Sequence, residues 1–192
     1  RLLAAMSQEG KIDSVVEIQT EKLENGSIKV TFIANEGEEI IIEKLRYSGV
    51  EKLDPEEFDD VIANKEHEWM GWFYGRNDGK MQLRDLAYDH LRIKDYYMQN
   101  GYLDAKVQKK KKKADFNNYT AFMSYVIKEG EVYNISKISV EQTKKVADDE
   151  ELLDVTSLEV GEPFNIQKFR DDSQKIKRIV ADKAYAFVQV IP

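Results

Sequence analysis

Apolar residues recur at helical spacing over residues 81–99, and this pattern predicts an amphipathic helix. Asn100-Gly101 then predicts the end of the helix, because glycine adopts the left-handed conformation of a C-terminal cap without a Cβ clash. Beyond it, alternation predicts a strand from Leu103 to Lys109. The apolar stripe of the helix consists of Leu86, His90, Ile93 and Tyr97. In the strand, Leu103, Ala105 and Val107 share one face, and Asp104, Lys106 and Gln108 share the other.

The same alternation predicts strands over residues 12–21, 27–35, 39–47, 120–128, 133–140 and 185–192. Asn25-Gly26 separates the first two and predicts a type I′ hairpin turn. Asp54 and Pro55 suit the N-cap and first position of another helix. Its apolar face would contain Phe58, Val61 and Ile62, and a last helix is predicted over residues 166–182.

This order of elements repeats along the chain. The segment QNGYLDAKV matches QEGKIDSVV near the start, and EGEEIIIEKL matches EGEVYNISKI. Aligning the middle and last helices places Asp89 on Asp172. The repeat predicts a row of small α+β domains with the order β-α-α-β-β. Residues 1–37 and 130–192 would be partial copies, and residues 38–129 a complete copy with two helices covering one face of a three-stranded sheet.

Composition narrows the range of functions. The chain of 192 residues has a net charge of -7, which disfavours a nucleic-acid partner. It has 0 cysteines, so neither disulfides nor thiol chemistry is expected. The sequence also lacks an apolar run long enough for a membrane-spanning helix.

The sequence contains no pattern typical of a catalytic, cofactor or metal site. His67 and His90 are too far apart in the sequence to form a motif. His90 lies on the apolar stripe of the predicted helix, where a packing role is expected. The acidic run Asp148–Glu151 lacks the spacing of a calcium loop and is interpreted as a solvated face. A function from another class would be an enzyme that uses its many carboxylates, but the spacing of the acidic residues does not favour it.

Two clusters are candidates for binding. The run Lys109–Lys113 suits anionic lipid headgroups or an acidic partner, but its place between two strands favours a solvated turn. The loop of residues 64–80 concentrates aromatic side chains, which suit either packing within or between domains or a docking patch for a partner. These aromatic residues are Trp69, Trp72, Phe73 and Tyr74.

The element order, YYMQNGYLDAKV, EGEVYNISKI and VGEPFN together resemble POTRA domains, particularly those of outer-membrane-protein assembly factors of Gram-negative bacteria. The resemblance extends over essentially the whole chain. Two turns depart from the family pattern. Ser48-Gly49-Val50 stands where the family usually has Gly-Asn, and Ala184-Tyr185 replaces a Gly-Tyr pair.

The resemblance implies a mixed sheet in each domain, with the last strand central and the preceding strand at an edge. Leu103–Lys109 would then be an edge that binds client strands by β-augmentation, which uses mainly backbone hydrogen bonds. It implies a non-enzymatic periplasmic scaffold whose partners are unfolded outer-membrane proteins, accessory assembly lipoproteins and the parent protein's own C-terminal membrane barrel.

Two alternatives to an assembly factor are open. One is a related outer-membrane transporter of the two-partner secretion or translocation type, and the other is a cytosolic scaffold. The partial copies also expose strand edges, at residues 12–21, 27–35 and 185–191, where self-association is expected.

Overall fold

The computed structural model describes residues 2–11, 13–68 and 79–183. The chain forms two compact units. The first contains Arg1–Ile93 and Val107–Ile127, and the second contains Lys94–Lys106 and Lys128–Pro192. Within the described residues, no helix combines the length and apolar character that crossing a membrane requires.

The first unit opens with helix α1 (Leu2–Gln8) and an antiparallel ribbon. Strands β1 (Val15–Lys22) and β2 (Ile28–Asn35) pair along eight residues each. The predicted type I′ turn between them is wrong. Gly26 has φ 81, but Asn25 is not among the residues with positive φ, which a type I′ turn requires at both central positions. The Asn25 side chain instead accepts a hydrogen bond from the Ser27 N–H at 3.0 Å.

A three-stranded sheet follows in the order β3-β5-β4, which confirms the predicted α+β class. β3 (Ile41–Ser48) runs parallel to the central β5 (Thr120–Lys128), and β4 (Lys106–Asp115) lies at the edge. One face of β5 is buried as a continuous row, which forms the centre of the core. That row consists of Ala121, Met123, Tyr125 and Ile127.

Both predicted helices of this copy are shorter than expected. Asp54 does cap the first, accepting the Glu56 N–H at 3.0 Å, but the element is a 3-10 helix, Pro55–Asp60, anchored by the buried Phe58. The second was expected over residues 81–99, but helix α2 spans Asp89–Gln99 after a 3-10 turn at Asp85–Ala87. The buried positions of its stripe agree with the prediction at Leu86, Ile93 and Tyr97.

A buried carboxylate explains why the first helix does not continue. Asp89, with no exposed surface, accepts hydrogen bonds from the Ala63 N–H at 2.9 Å and from the Asn64 side-chain amide at 2.7 Å. Arg92 adds a charged contact at 2.7 Å. Asn64 in turn accepts the Gln82 N–H at 2.7 Å. These bonds hold residues 63–64 out of helical conformation, because their N–H groups donate to the Asp89 carboxylate.

The second unit contains helices α3 (Asp149–Asp154) and α4 (Ile166–Asp182). The predicted bounds of α4 are confirmed, and Asn165 caps it by accepting the Gln167 and Lys168 N–H groups, each at 2.9 Å. The strand expected over residues 133–140 is absent from the described residues; an isolated bridge joins Asn134 to Pro163. The strand expected over residues 185–192 lies outside the described residues.

α4 repeats the buried carboxylate of α2. Asp172 is 3% exposed and accepts the Ser157 N–H at 2.7 Å and the Leu158 N–H at 3.2 Å. Lys175 contacts it at 2.9 Å from the position that Arg92 holds relative to Asp89. Burial raises the pKa of the Asp172 carboxyl, but the Lys175 ammonium and the Ser157 donors together outweigh it, so the pKa lies below its usual value.

Ile93→Ala should lower the free energy of unfolding by about 2–4 kcal/mol, because it leaves a cavity in the core beside α2. Leu91→Ala is the matched control on the same helix. Leu91 is 51% exposed, so its loss should cost less than about 0.5 kcal/mol. Urea denaturation followed by circular dichroism measures both, and equal losses would contradict the placement of Ile93 in the core.

Asp172→Asn should lower the free energy of unfolding at neutral pH by about 1–3 kcal/mol, because charged hydrogen bonds are lost. The folded-state pKa of Asp172 is depressed, so its contribution is complete above the ordinary pKa of 3.8 and disappears as pH falls through the folded value. The gap between wild type and variant should therefore close in acid. Asp171→Asn, at an exposed neighbour, should leave the pH profile unchanged.

Candidate functional site

β4 is the candidate site because, among the strands that the structure describes, none lies on its outer side. The strand begins at Lys106, so the prediction that Leu103–Ala105 belong to it is wrong. Those residues form a turn, in which the Ala105 N–H donates to the Tyr102 carbonyl at 3.2 Å. This local bond uses backbone groups that a strand would present to its neighbour.

The opposite edge, on β3, is closed by the chain itself. The Ile42 N–H donates to the Gly79 carbonyl at 2.8 Å, and the Ile42 carbonyl accepts the His67 N–H at 2.8 Å. Farther along, the Leu45 N–H donates to the Glu66 carboxylate at 2.8 Å. A Cβ on Gly79 would lie 2.5 Å from the His67 Cβ, so only glycine permits this approach. Among the described strands, β4 is therefore the one at the edge of the sheet that the β3 side does not close.

Side chains of the predicted edge segment alternate between the two faces of the sheet. On the helix side, Ala105 and Val107 are buried, while Lys106 and Gln108 on the other side are exposed. In the turn before β4, Leu103 is half-buried and Asp104 is exposed. The sequence predicted Leu103, Ala105 and Val107 on the inward face and Asp104, Lys106 and Gln108 on the outward face.

The lysine run lies within β4, and its interpretation as a solvated turn is wrong. Pairing with β5 overrides the weak strand preference of lysine, and an exposed edge tolerates its charge. Lys109 is half-buried, and its ammonium donates to the Ala87 carbonyl at 2.9 Å. Its side chain is thus directed to the helix side of the sheet.

The other candidate side chains form no common site in the described part of the chain. His67 is exposed and His90 is half-buried in α2. Asp149 begins α3 and accepts the Gln142 side-chain amide at 2.6 Å, so part of the acidic run serves a local turn. Among the described residues, no group of acidic or histidine side chains could hold a metal ion.

The aromatic cluster predicted to pack or to dock a partner lies outside the described residues. Its members are Trp69, Trp72, Phe73 and Tyr74. The expected edge at residues 185–191 also lies outside them. Both remain predictions.

The β1–β2 ribbon offers a second exposed surface, in addition to the open strand edges predicted from the sequence. In the observed register, Ile18 is opposite Phe32, and Val30 is next along the same face. These side chains are 63%, 64% and 49% exposed respectively. The opposite face is mainly polar, with Glu21 and Lys29 paired at 3.6 Å. The ribbon therefore has one apolar face that the described residues leave uncovered.

Two candidate interaction features thus emerge, the backbone edge of β4 and the apolar ribbon face. The POTRA family model, described as a surface antigen variable number repeat, matches residues 40–130 and again residues 133–192. A crystal structure of POTRA domains 3–5 of Haemophilus influenzae BamA has a TM-score of 0.54 at 18% identity, covering 92% of this chain and 65% of that chain. This similarity supports the fold.

Relatives with longer sequences align with most of this chain. The outer membrane protein assembly factor BamA of Nitratidesulfovibrio vulgaris is 29% identical over 171 residues, covering 86% of this chain and 21% of the relative. The protein of the same name from Neorickettsia risticii is 21% identical over 190 residues, covering 94% of this chain and 24% of the relative. The chain spans less than a quarter of either relative.

Phe32→Lys should reduce self-association, because it places a charge in the exposed apolar face of the ribbon. Thr31→Lys is the matched control, since Thr31 is exposed on the opposite face of the same strand. Sedimentation velocity over a concentration series measures the effect. If the wild-type chain stays monomeric at every concentration, the expectation of self-association through this ribbon is wrong.

Proposed function

The chain belongs to the POTRA family, and we propose from that membership that it is part of the periplasmic arm of a BamA-like outer-membrane-protein assembly factor. The arm acts as a scaffold and not as an enzyme, and the parent protein is anchored in the outer membrane. In this proposal residues 1–37, 38–129 and 130–192 are successive POTRA domains or parts of them. The assembly-factor names of the relatives support the assignment.

The proposed mechanism is β-augmentation at β4. An extended segment of an unfolded outer-membrane protein pairs with the outer side of β4 and becomes a fourth strand. The observation that carries this proposal is the difference between the two sheet edges. β3 is closed by the Gly79 and His67 backbone and by the Glu66 carboxylate, whereas β5 is the one described strand beside β4.

Backbone pairing suits a scaffold with many clients, because every polypeptide has the same amide and carbonyl groups. Each new hydrogen bond contributes about 0.5–1.5 kcal/mol net, and ordering a flexible segment offsets part of this gain. A segment forming about four such bonds would therefore bind weakly, with a dissociation constant on the order of millimolar. Weak binding allows a client to be passed on to the next site.

Docking of accessory assembly lipoproteins is the other part of the proposal. It rests on family membership. The aromatic residues Trp69, Trp72, Phe73 and Tyr74 are its candidate surface, with packing within or between domains as the alternative role.

Titration of the isotope-labelled chain with an uncharged peptide from an outer-membrane β-strand should shift the backbone amides of Lys106–Lys109. The reason is that new hydrogen bonds form along the β4 edge. Lys106→Ala should change the affinity for this peptide less than about twofold, because the contact is mainly to the backbone.

Two controls make the titration specific. Alternate N–H groups of an extended peptide point to opposite sides, so N-methylation of either the odd or the even residues removes the donors along one side. One of these two methylated peptides should therefore cause no shifts. Shifts confined to α2 and α4, with Lys106–Lys109 silent, would show that clients bind elsewhere.

A further inference from the structure

The sheet face turned away from the helices carries exposed cations, although the whole chain has a net charge of -7. β3 contributes the exposed Lys44 and Arg46, and β4 contributes the exposed Lys106. Within the described ranges, these three cations form no salt bridge. Phe122 of β5, which is 42% exposed, lies across from Lys44 at the centre of this face. We call this surface the open face.

Acidic residues also lie near the open face, and the Glu66 carboxylate accepts the Leu45 N–H between Lys44 and Arg46. Glu43, also exposed, lies at the register shift between Ile42 and Lys44. Asp104 precedes β4, and its carboxylate accepts a hydrogen bond from the Tyr133 hydroxyl. Lys106 is an exposed cation on the strand with the free edge, whereas Lys44 and Arg46 lie on β3, on the far side of β5.

A strand added beside β4 continues its alternation. Directly opposed side chains on neighbouring strands lie about 4.5–5.5 Å apart at the Cβ atoms. One set of client side chains would thus lie beside Lys106 and Gln108 on the open face. The other set would lie beside Val107, which is buried on the helix side. Acidic residues suit the first set, and apolar residues suit the second.

We propose that β4 prefers client strands that alternate apolar with acidic residues and disfavours strands that alternate apolar with basic residues. This inference rests on the proposed β-augmentation and adds the chemical class of the segment that is bound. A polypeptide is favoured over an anionic lipid surface because the cation Lys106 belongs to the strand with the free backbone edge, and lipid headgroups would leave that edge without backbone partners.

The test uses four synthetic peptides of one length: valine alternating with glutamate, with threonine and with lysine, and a block peptide with the composition of the first. Affinity for the whole chain is measured by fluorescence anisotropy at low and physiological salt. The acidic alternating peptide should bind best, about tenfold or more tightly than the basic one at low salt, and the difference should shrink with added salt. The block peptide should bind less well than the alternating one.

Variants locate the effect. Lys106→Glu should weaken binding of the acidic peptide by about fivefold or more and strengthen binding of the basic one. Lys106→Gln should fall between wild type and Lys106→Glu. Lys177→Glu, the same charge change at an exposed site on α4, should leave the order of affinities unchanged.

The outcomes distinguish this inference from the proposed function. Equal binding of the acidic, neutral and basic peptides would overturn the charge preference but keep β-augmentation. Absence of binding by any peptide would overturn both. A third outcome would combine three results: phosphatidylglycerol vesicles bind the chain, Lys106→Glu abolishes that binding, and the peptides show no order of affinity. In that case the open face binds lipid, and the inference is wrong.

Discussion

The buried Asp89 carboxylate is the contact on which the described arrangement of the first unit depends. An ionised group without exposed surface is costly unless hydrogen bonds and opposite charge compensate it. Asp89 therefore fixes Asn64, and Asn64 fixes Gln82 by a hydrogen bond at 2.7 Å. Residues 79–81 then run along β3 and close its edge. Asp172 holds the corresponding segment of the second unit by equivalent bonds.

Closure of the β3 edge determines which edge of the sheet can accept an added strand. A sheet with two open edges would invite uncontrolled pairing, whereas a chain-covered β3 leaves β4 as the one strand edge of this sheet without a neighbour in the described residues. The lysine-rich composition of β4 has two compatible consequences. Like charge discourages two copies from pairing edge to edge, and it attracts segments of opposite charge. Glu66, which caps the Leu45 N–H, shows that the chain already uses a carboxylate to satisfy a strand edge.

The sequence predicted features that depend on local rules. The Asp54 cap, the Gly101 stop at φ 89 and the bounds of α4 follow from propensities that act within a few residues. Features decided by distant partners were missed. The sequence aligned Asp89 with Asp172, but it did not predict that both carboxylates are buried. Their burial depends on hydrogen bonds from the N–H groups of residues 63–64 and 157–158, which are distant in the sequence. Likewise, pairing with β5 makes the lysine run a strand, and no local rule predicts that.

Register-specific disulfide trapping tests the central claim, that a client segment adds as a strand beside β4. The chain has 0 cysteines, so Gln108→Cys introduces one exposed thiol on the outward side of β4. A single cysteine is then moved along an extended client peptide. Disulfides require Cα atoms within about 7 Å and convergent Cβ directions. Augmentation predicts trapping with a period of two residues, strongest at one position. Trapping that is equal at all positions, or absent at all of them, would contradict strand addition at β4.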